Sequence, residues 1–292
     1  MYELIPISER SFYIQSPSRA GLFRLDDTEV CLIDSGNHED AAKKILKINA
    51  EHNWKLAAVF NTHAHADHIG GNRLLAERTG CRLYAPGIEC AFARHPILEP
   101  AFLYGGFPPA DIRRKFLLAE ASGAEYLTAD ILPAGMEMID LPGHFFGMVG
   151  FRTPDDAVYL ADCLSSREIL DKYGIGFVYD VKAYLETLEK VKSLRAKMFV
   201  PAHAEPTDDI APLAEYNIVK TREVADRICD ICREPMVFEE LLKKLCDAYG
   251  IALNFEQYVL IGSTVRSYLV YLRGEGRIQT EFAENRLLWQ SR

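Results

Sequence analysis

Four side chains able to bind a metal crowd one short run of this chain: Asn61-Thr62-His63-Ala64-His65-Ala66-Asp67-His68-Ile69-Gly70-Gly71. Imidazole nitrogens hold zinc-like ions at about 2.0–2.1 Å and carboxylate oxygens at about 2.0–2.2 Å. His63 and His65, two apart, project to the same side of an extended backbone. Asp67 and His68 come where the chain turns into a helix and face a neighbouring ion. Ala64 and Ala66 are small enough to let the loop close tightly. A single histidine is ordinarily structural, but packing does not explain four donors in one loop, and metal chemistry is the expectation.

Such a loop needs rigid elements to aim it. Leu56–Asn61 is a continuous apolar run, as in a strand buried on both faces, and Asn72–Arg78 resumes as helix. Upstream, Glu3–Ile7, Ser11–Gln15, Gly21–Leu25 and Val30–Asp34 read as strands split by turn residues, with a helix over Glu39–Asn49. Downstream, Met136–Leu141, Met148–Arg152, Val158–Ala161 and Met198–Pro201 read as strands and Tyr184–Leu194 as an amphipathic helix. Three further donors stand at ends of these predicted strands: His144 after Leu141-Pro142-Gly143, Asp162 after Ala161, and His203 after Val200-Pro201-Ala202. Ligands from several strand ends converge on one sheet edge. Alternating strands and helices with antiparallel stretches predict an α/β fold with mixed sheets.

The order HxHxDH, Gly-His, strand-ending Asp and final His resembles the metallo-β-lactamase superfamily, particularly its glyoxalase-II-like hydrolases. All seven positions match, the resemblance spans roughly Tyr2 to Pro206, and Asp34-Ser35-Gly36 matches the family's Asp-x-Gly turn. The resemblance implies an αββα four-layer sandwich of two mixed β-sheets. It implies one divalent ion on His63, His65 and His144 and a second on Asp67, His68 and His203, with Asp162 bridging. Zinc is the expected metal, with iron or manganese as alternatives. Two ions about 3.5–4 Å apart share a hydroxide that attacks an ester, thioester, lactone or related bond, and Asp67 is the candidate to orient that nucleophile or accept its proton.

Departures from the family pattern bear on substrate. Phe145-Phe146 follows the Gly-His where relatives carry small or polar residues, and the basic and tyrosine residues that bind glutathione in true glyoxalase II have no counterpart. Phe92–Ala129 contains Pro96, Pro100, Pro108, Pro109, Gly105 and Gly106, which argues against a regular element through its middle and for a lid. Phe145, Phe146, Phe102, Tyr104 and Phe107 are the expected pocket residues. His38 is read as opening a helix, His95 as a surface residue and Cys163 as packing.

Two domains are expected, a catalytic unit over 1–214 and a C-terminal unit over 215–292. In the second, helices Glu215–Arg233, Phe238–Tyr249 and Phe255–Arg273 precede two short strands, Arg277–Phe282 and Arg286–Gln290, the plan of a winged helix. That unit carries nearly balanced charge without a basic stripe and is expected to pack, close the pocket or form a homodimer rather than bind nucleic acid. Cys229 and Cys232 form a CxxC inside predicted helix and read as ordinary helix residues.

The chain has 292 residues, 33 Lys+Arg against 42 Asp+Glu and a net charge of -9, a balance that disfavours nucleic acid and anionic membranes as partners. The N-terminus lacks a signal-peptide pattern, no apolar run reaches the roughly 18 residues of a membrane span, and seven scattered cysteines fit a reducing compartment. The expected protein is therefore cytoplasmic and acts on a small molecule. The rival readings are a mononuclear iron persulfide dioxygenase on the same donors and a nuclease guided by the C-terminal unit. A flavodiiron site is disfavoured because His65 stands where those proteins carry Glu, and closed structural metal sites are usually cysteine-rich.

Overall fold

The computed structural model describes residues 2–292. In chain order its strands are β1 (Glu3–Pro6), β2 (Ser11–Gln15), β3 (Ala20–Arg24), β4 (Glu29–Ile33), β5 (Lys55–Phe60), β6 (Arg82–Pro86), β7 (Glu125–Leu127), β8 (Glu137–Asp140), β9 (Val149–Arg152), β10 (Ala157–Ser165), β11 (Met198–His203), β12 (Ile278–Ala283) and β13 (Arg286–Ser291). The helices are α1 (Glu39–Glu51), the single turn α2 (Ala66–Ile69), α3 (Asn72–Thr79), α4 (Glu89–Arg94), α5 (Leu98–Tyr104), α6 (Arg167–Tyr173), α7 (Val181–Ser193), α8 (Ala211–Ile231), α9 (Phe238–Tyr249) and α10 (Phe255–Gly274).

β1 to β7 form one sheet in sequence order, antiparallel through β4 and parallel from β4 to β7. A second sheet runs β11-β10-β9-β8, with only the β10–β11 pair parallel. The sheets stack because their strands are apolar on both faces. In β4, Val30 and Leu32 join a core with α1 and α3, while Cys31 and Ile33 point into the layer between the sheets. In β10, Tyr159 enters that inter-sheet layer and Val158 and Leu160 face α7, α8 and α10. The period-two alternation of Cβ directions thus fills two cores from one strand, which produces the α/β four-layer order and explains the continuous apolar runs. Tyr159 also ties the sheets, its hydroxyl donating to the Phe12 carbonyl at 2.7 Å.

Two expectations are corrected. The Pro-rich stretch contains α5, because Pro100 is the third residue of that helix and sits in the first turn, where no intrahelical N–H is lost. Strand β10 does not stop at Ala161 but continues to Ser165, with a pairing irregularity on either side of Ala161, whose φ is +49°. Asp162 is therefore held inside a strand, at an irregular step. After β11, three helices and the β12–β13 ribbon complete the chain, with α8 packed on β10 of the second sheet, α9 on α8 and β13, and α10 on α7, α8 and β12. No described helix is long and apolar enough to cross a membrane.

Candidate metal centre

The loop after β5 is fixed from below by the turn after β4. Asp34, at φ +61°, accepts from the Thr62 amide at 2.8 Å and the Thr62 hydroxyl at 2.7 Å, and lies 2.8 Å from His68 Nδ1. Ser35 donates through its amide to the His68 carbonyl at 2.7 Å. A Cβ on Gly71 would stand 2.4 Å from the Ser35 carbonyl oxygen, so only glycine lets the two turns meet. From the other side, the buried Glu89 carboxylate accepts from the amides of Ala64 at 3.0 Å and Gly147 at 2.7 Å, stapling the histidine loop to the one that carries His144. Burial pushes the Glu89 carboxyl up to about 7 despite those donors.

His144 is aimed by Gly143, whose φ is +115° and whose added Cβ would lie 2.2 Å from the Tyr184 backbone nitrogen. Replacement of Gly143 by Ala combines a strained φ with a backbone clash. It is expected to cost about 2–3 kcal/mol of stability, read as a lowered urea midpoint at unchanged slope.

The structure brings all seven expected donors together, in two groups. Donor atoms of His63, His65, His144 and Asp162 lie within 4.8 Å of one another, as do those of Asp67, His68, Asp162 and His203, and Asp162 belongs to both. In the first group His65 Nδ1 is 3.1 Å from both His63 Nε2 and His144 Nε2. In the second, His203 Nε2 is 3.2 Å from Asp67 Oδ2 and 3.3 Å from Asp162 Oδ2. His68 Nε2 is 3.0 Å from Asp162 Oδ1, yet that buried oxygen receives no hydrogen bond.

The electrostatics of the two groups differ. Burial first, then neighbouring imidazoles, hold His63 well below the usual histidine range and His65 down to about 3, and burial also lowers His144. These three are neutral, the form that offers a ring lone pair to a metal. The Asp162 carboxylate raises His203 to about 10. For His68 burial works against protonation, but Asp162, Asp67 and Asp34 together outweigh it and lift the ring well above its usual value. Protons there balance buried carboxylates. A divalent cation fits the same donors, because it would supply the positive charge that the protons on His68 and His203 otherwise provide beside Asp162. Cation uptake is therefore expected to release protons and weaken as pH falls, measurable as acidification of a weakly buffered solution on adding metal.

His65, Asp67 and His203 form part of the wall of a 720 Å³ chamber, joined by Ser18, His38 and Glu99. Its apolar wall consists of Phe116 and Leu117 from the stretch between α5 and β7, Tyr173, Ile175 and Phe177 around the end of α6, and Leu260 of α10. The five aromatic residues expected to line the pocket lie elsewhere. Phe145 is fully buried beneath His65, ring centroids 4.2 Å apart, and Phe146 stacks on Tyr179 at 4.1 Å. Phe107 is 79 % exposed, with the Arg113 guanidinium over its ring. Phe102 and Tyr104 line a separate 870 Å³ cleft against α7 and α10 that contains none of the seven donors.

Sequence reasoning missed Glu99, Phe177 and Leu260. Glu99, 5 % exposed, places Oε1 3.9 Å from His65 Nε2, and burial pushes its carboxyl well above the usual range. Its signal was an acid isolated among Ile97, Leu98, Pro100 and Ala101. His38 does open α1, as expected, and also reaches the chamber; His95 is exposed and Cys163 buried. Cys229 lies in the last turn of α8 and buried Cys232 just past it, and both thiols are free.

A sequence-family description, the Metallo-beta-lactamase superfamily, matches residues 14–203. The chain is similar to proteins named hydroxyacylglutathione hydrolase: 30 % identical over 198 residues to that of Methylococcus capsulatus, covering 66 % of each chain. The likeness to that of Hyphomonas neptunium is 29 % over 147 residues, covering 49 % of this chain and 46 % of the relative. The matches thus span about half to two thirds of these relatives' length. Among solved structures, a metallo-beta-lactamase family protein from Thermus thermophilus superposes with a TM-score of 0.73 at 19 % identity, covering 100 % of this chain and 98 % of the other. A beta-lactamase domain protein from Burkholderia ambifaria gives 0.71 at 15 % identity, covering 99 % and 94 %. At such identities the structures speak for the fold, and they extend that likeness through the C-terminal helices.

Proposed function

Since this chain belongs to the metallo-β-lactamase superfamily, we propose that it is a metal-dependent hydrolase of carboxylic thioesters and related esters, with two divalent ions, most simply zinc, at the paired donor groups. The observation that carries this reading is the sharing of Asp162 between two groups whose outer members, His65, Asp67 and His203, open on one chamber. His63, His65 and His144 would hold one ion, Asp67, His68 and His203 the other, and Asp162 both. Paired ions at these donors would activate a water near neutral pH and stabilise the oxygen that gains charge in the reaction.

The chain's own residues do the rest. The apolar wall of Phe116, Phe177 and Leu260 holds the substrate and keeps bulk water from the carbonyl. Asp67 is held down at about 2, where burial alone would raise it, because His68 and His203 stand beside it. Its side chain keeps more exposure to the chamber than Asp162, so its carboxylate is placed to orient the attacking water as a hydrogen-bond acceptor. Asp34 and Glu89 keep the two donor loops in register.

The named relatives support a thioester as the scissile bond. Specificity for the rest of the substrate rests on Leu260 and its neighbours on α10, outside the stretch matched to the family. The test is metal analysis of protein purified without chelator, followed by a panel of acyl thioesters, esters, lactones and phosphodiesters. About two zinc or manganese ions per chain and chelator-sensitive thioester turnover are expected. One iron per chain with oxygen uptake on a persulfide, or phosphodiester turnover alone, would overturn the proposal.

A further inference from the structure

We infer that a second cavity behind the chamber is a subsite for an extended apolar chain carried by the substrate, an inference that rests on the hydrolytic reading above. This cavity measures 490 Å³ and lies between the end of α6, the residues after α9 and the first half of α10. It shares Phe116, Tyr173, Ile175, Phe177 and Leu260 with the 720 Å³ chamber over the donors. Side chains that line both spaces stand at the boundary between them, so the two cavities are neighbours. Two of the five, Phe116 at 59 % and Tyr173 at 50 %, are exposed.

Beyond these residues the wall continues with Ile251 and Ile261, and it contains none of the seven donors. Its charged members are Lys172, which rests 4.8 Å over the Tyr173 ring, and Glu256. Apolar and aromatic surface left open to water in a concave site marks a place where a ligand removes it. A substrate whose carbonyl lies at the His65, Asp67 and His203 end of the chamber has one apolar direction in which to extend, along Phe177 and Leu260 into the second cavity. A compact polar acyl group would leave that wall wet. The substrate class is therefore an acyl thioester or ester with a chain long enough to pass Leu260.

The test is binding, read by calorimetry on the protein carrying its metal as purified, of straight-chain carboxylates from acetate to decanoate. Affinity is expected to rise about four-fold for each methylene until the subsite is filled. Leu260→Trp adds bulk at that boundary and is expected to end the rise at a shorter chain. Phe116→Ala, at an exposed position that the fold tolerates, is expected to reduce the decanoate-to-acetate affinity ratio several-fold. Affinity independent of chain length overturns the subsite, as does a rise that neither substitution alters. Thioester turnover measured in parallel separates the two readings. A chain-length rise without any turnover supports the subsite and removes the hydrolase; turnover with flat affinities does the reverse.

Discussion

Asp162→Ala is expected to lower thioester turnover by at least about a thousand-fold and to reduce bound metal to one ion per chain or fewer. The residue is 9 % exposed, stands 3.3 Å from His203 and 3.5 Å from His144, and is the donor common to both groups. Any other donor deletion leaves one group intact, whereas this one opens both. Asp162→Asn keeps shape and one acceptor oxygen but loses the charge, and is expected to retain more metal than the alanine variant while remaining at least a hundred-fold slow. Metal content and kcat are to be measured on the same samples. Retention of both ions and of full turnover by the alanine variant would remove Asp162 from the chemistry.

The second large effect concerns a residue that touches no metal. Asp34→Ala is expected to cost about 3–5 kcal/mol of stability, because it strips the partner from a buried, protonated His68 and from two donors of Thr62. The same change frees the His68 ring to turn and is expected to weaken metal binding by about 10–100-fold. The backbone at Asp34 has φ +61°, a region in which Asn is also at ease. Asp34→Asn is therefore expected to recover part of the stability by denaturant melt but little of the metal affinity, since the charge facing His68 is gone. Equal loss in both variants would show the backbone turn, not the carboxylate, to be what matters.

What was legible in the sequence was whatever is contiguous. His63, His65, Asp67 and His68 declare themselves because the ligands share one loop, and the buried strands show as runs because both faces are covered. His144, Asp162 and His203 were legible as donors at the ends of predicted strands, and the family pattern then joined them to the loop; their strands are separate, and nothing local distinguishes Asp162 from any acid beside an apolar run. The end of β10 was misplaced because the positive φ at Ala161 accompanies the shifts in its pairing with β11, far along the chain, and is signalled by no turn residue. The pocket was the least legible part. Phe145 and Phe146 look like lining because they follow His144, but they fill the space beneath His65. The wall of the chamber over the donors gathers residues 116, 177 and 260, which no spacing rule connects.

The seven donors end at His203, whereas α10 comes later in the chain, its Leu260 bounding both the chamber and the cavity behind it and its Glu256, Gln257, Ile261 and Thr264 bounding that second cavity. The proposed selectivity thus draws in part on a helix that carries none of the donors. On the proposed reading, exchange of the α10 positions 256, 257, 260, 261 and 264 would change the acyl chain accepted while every donor stays untouched.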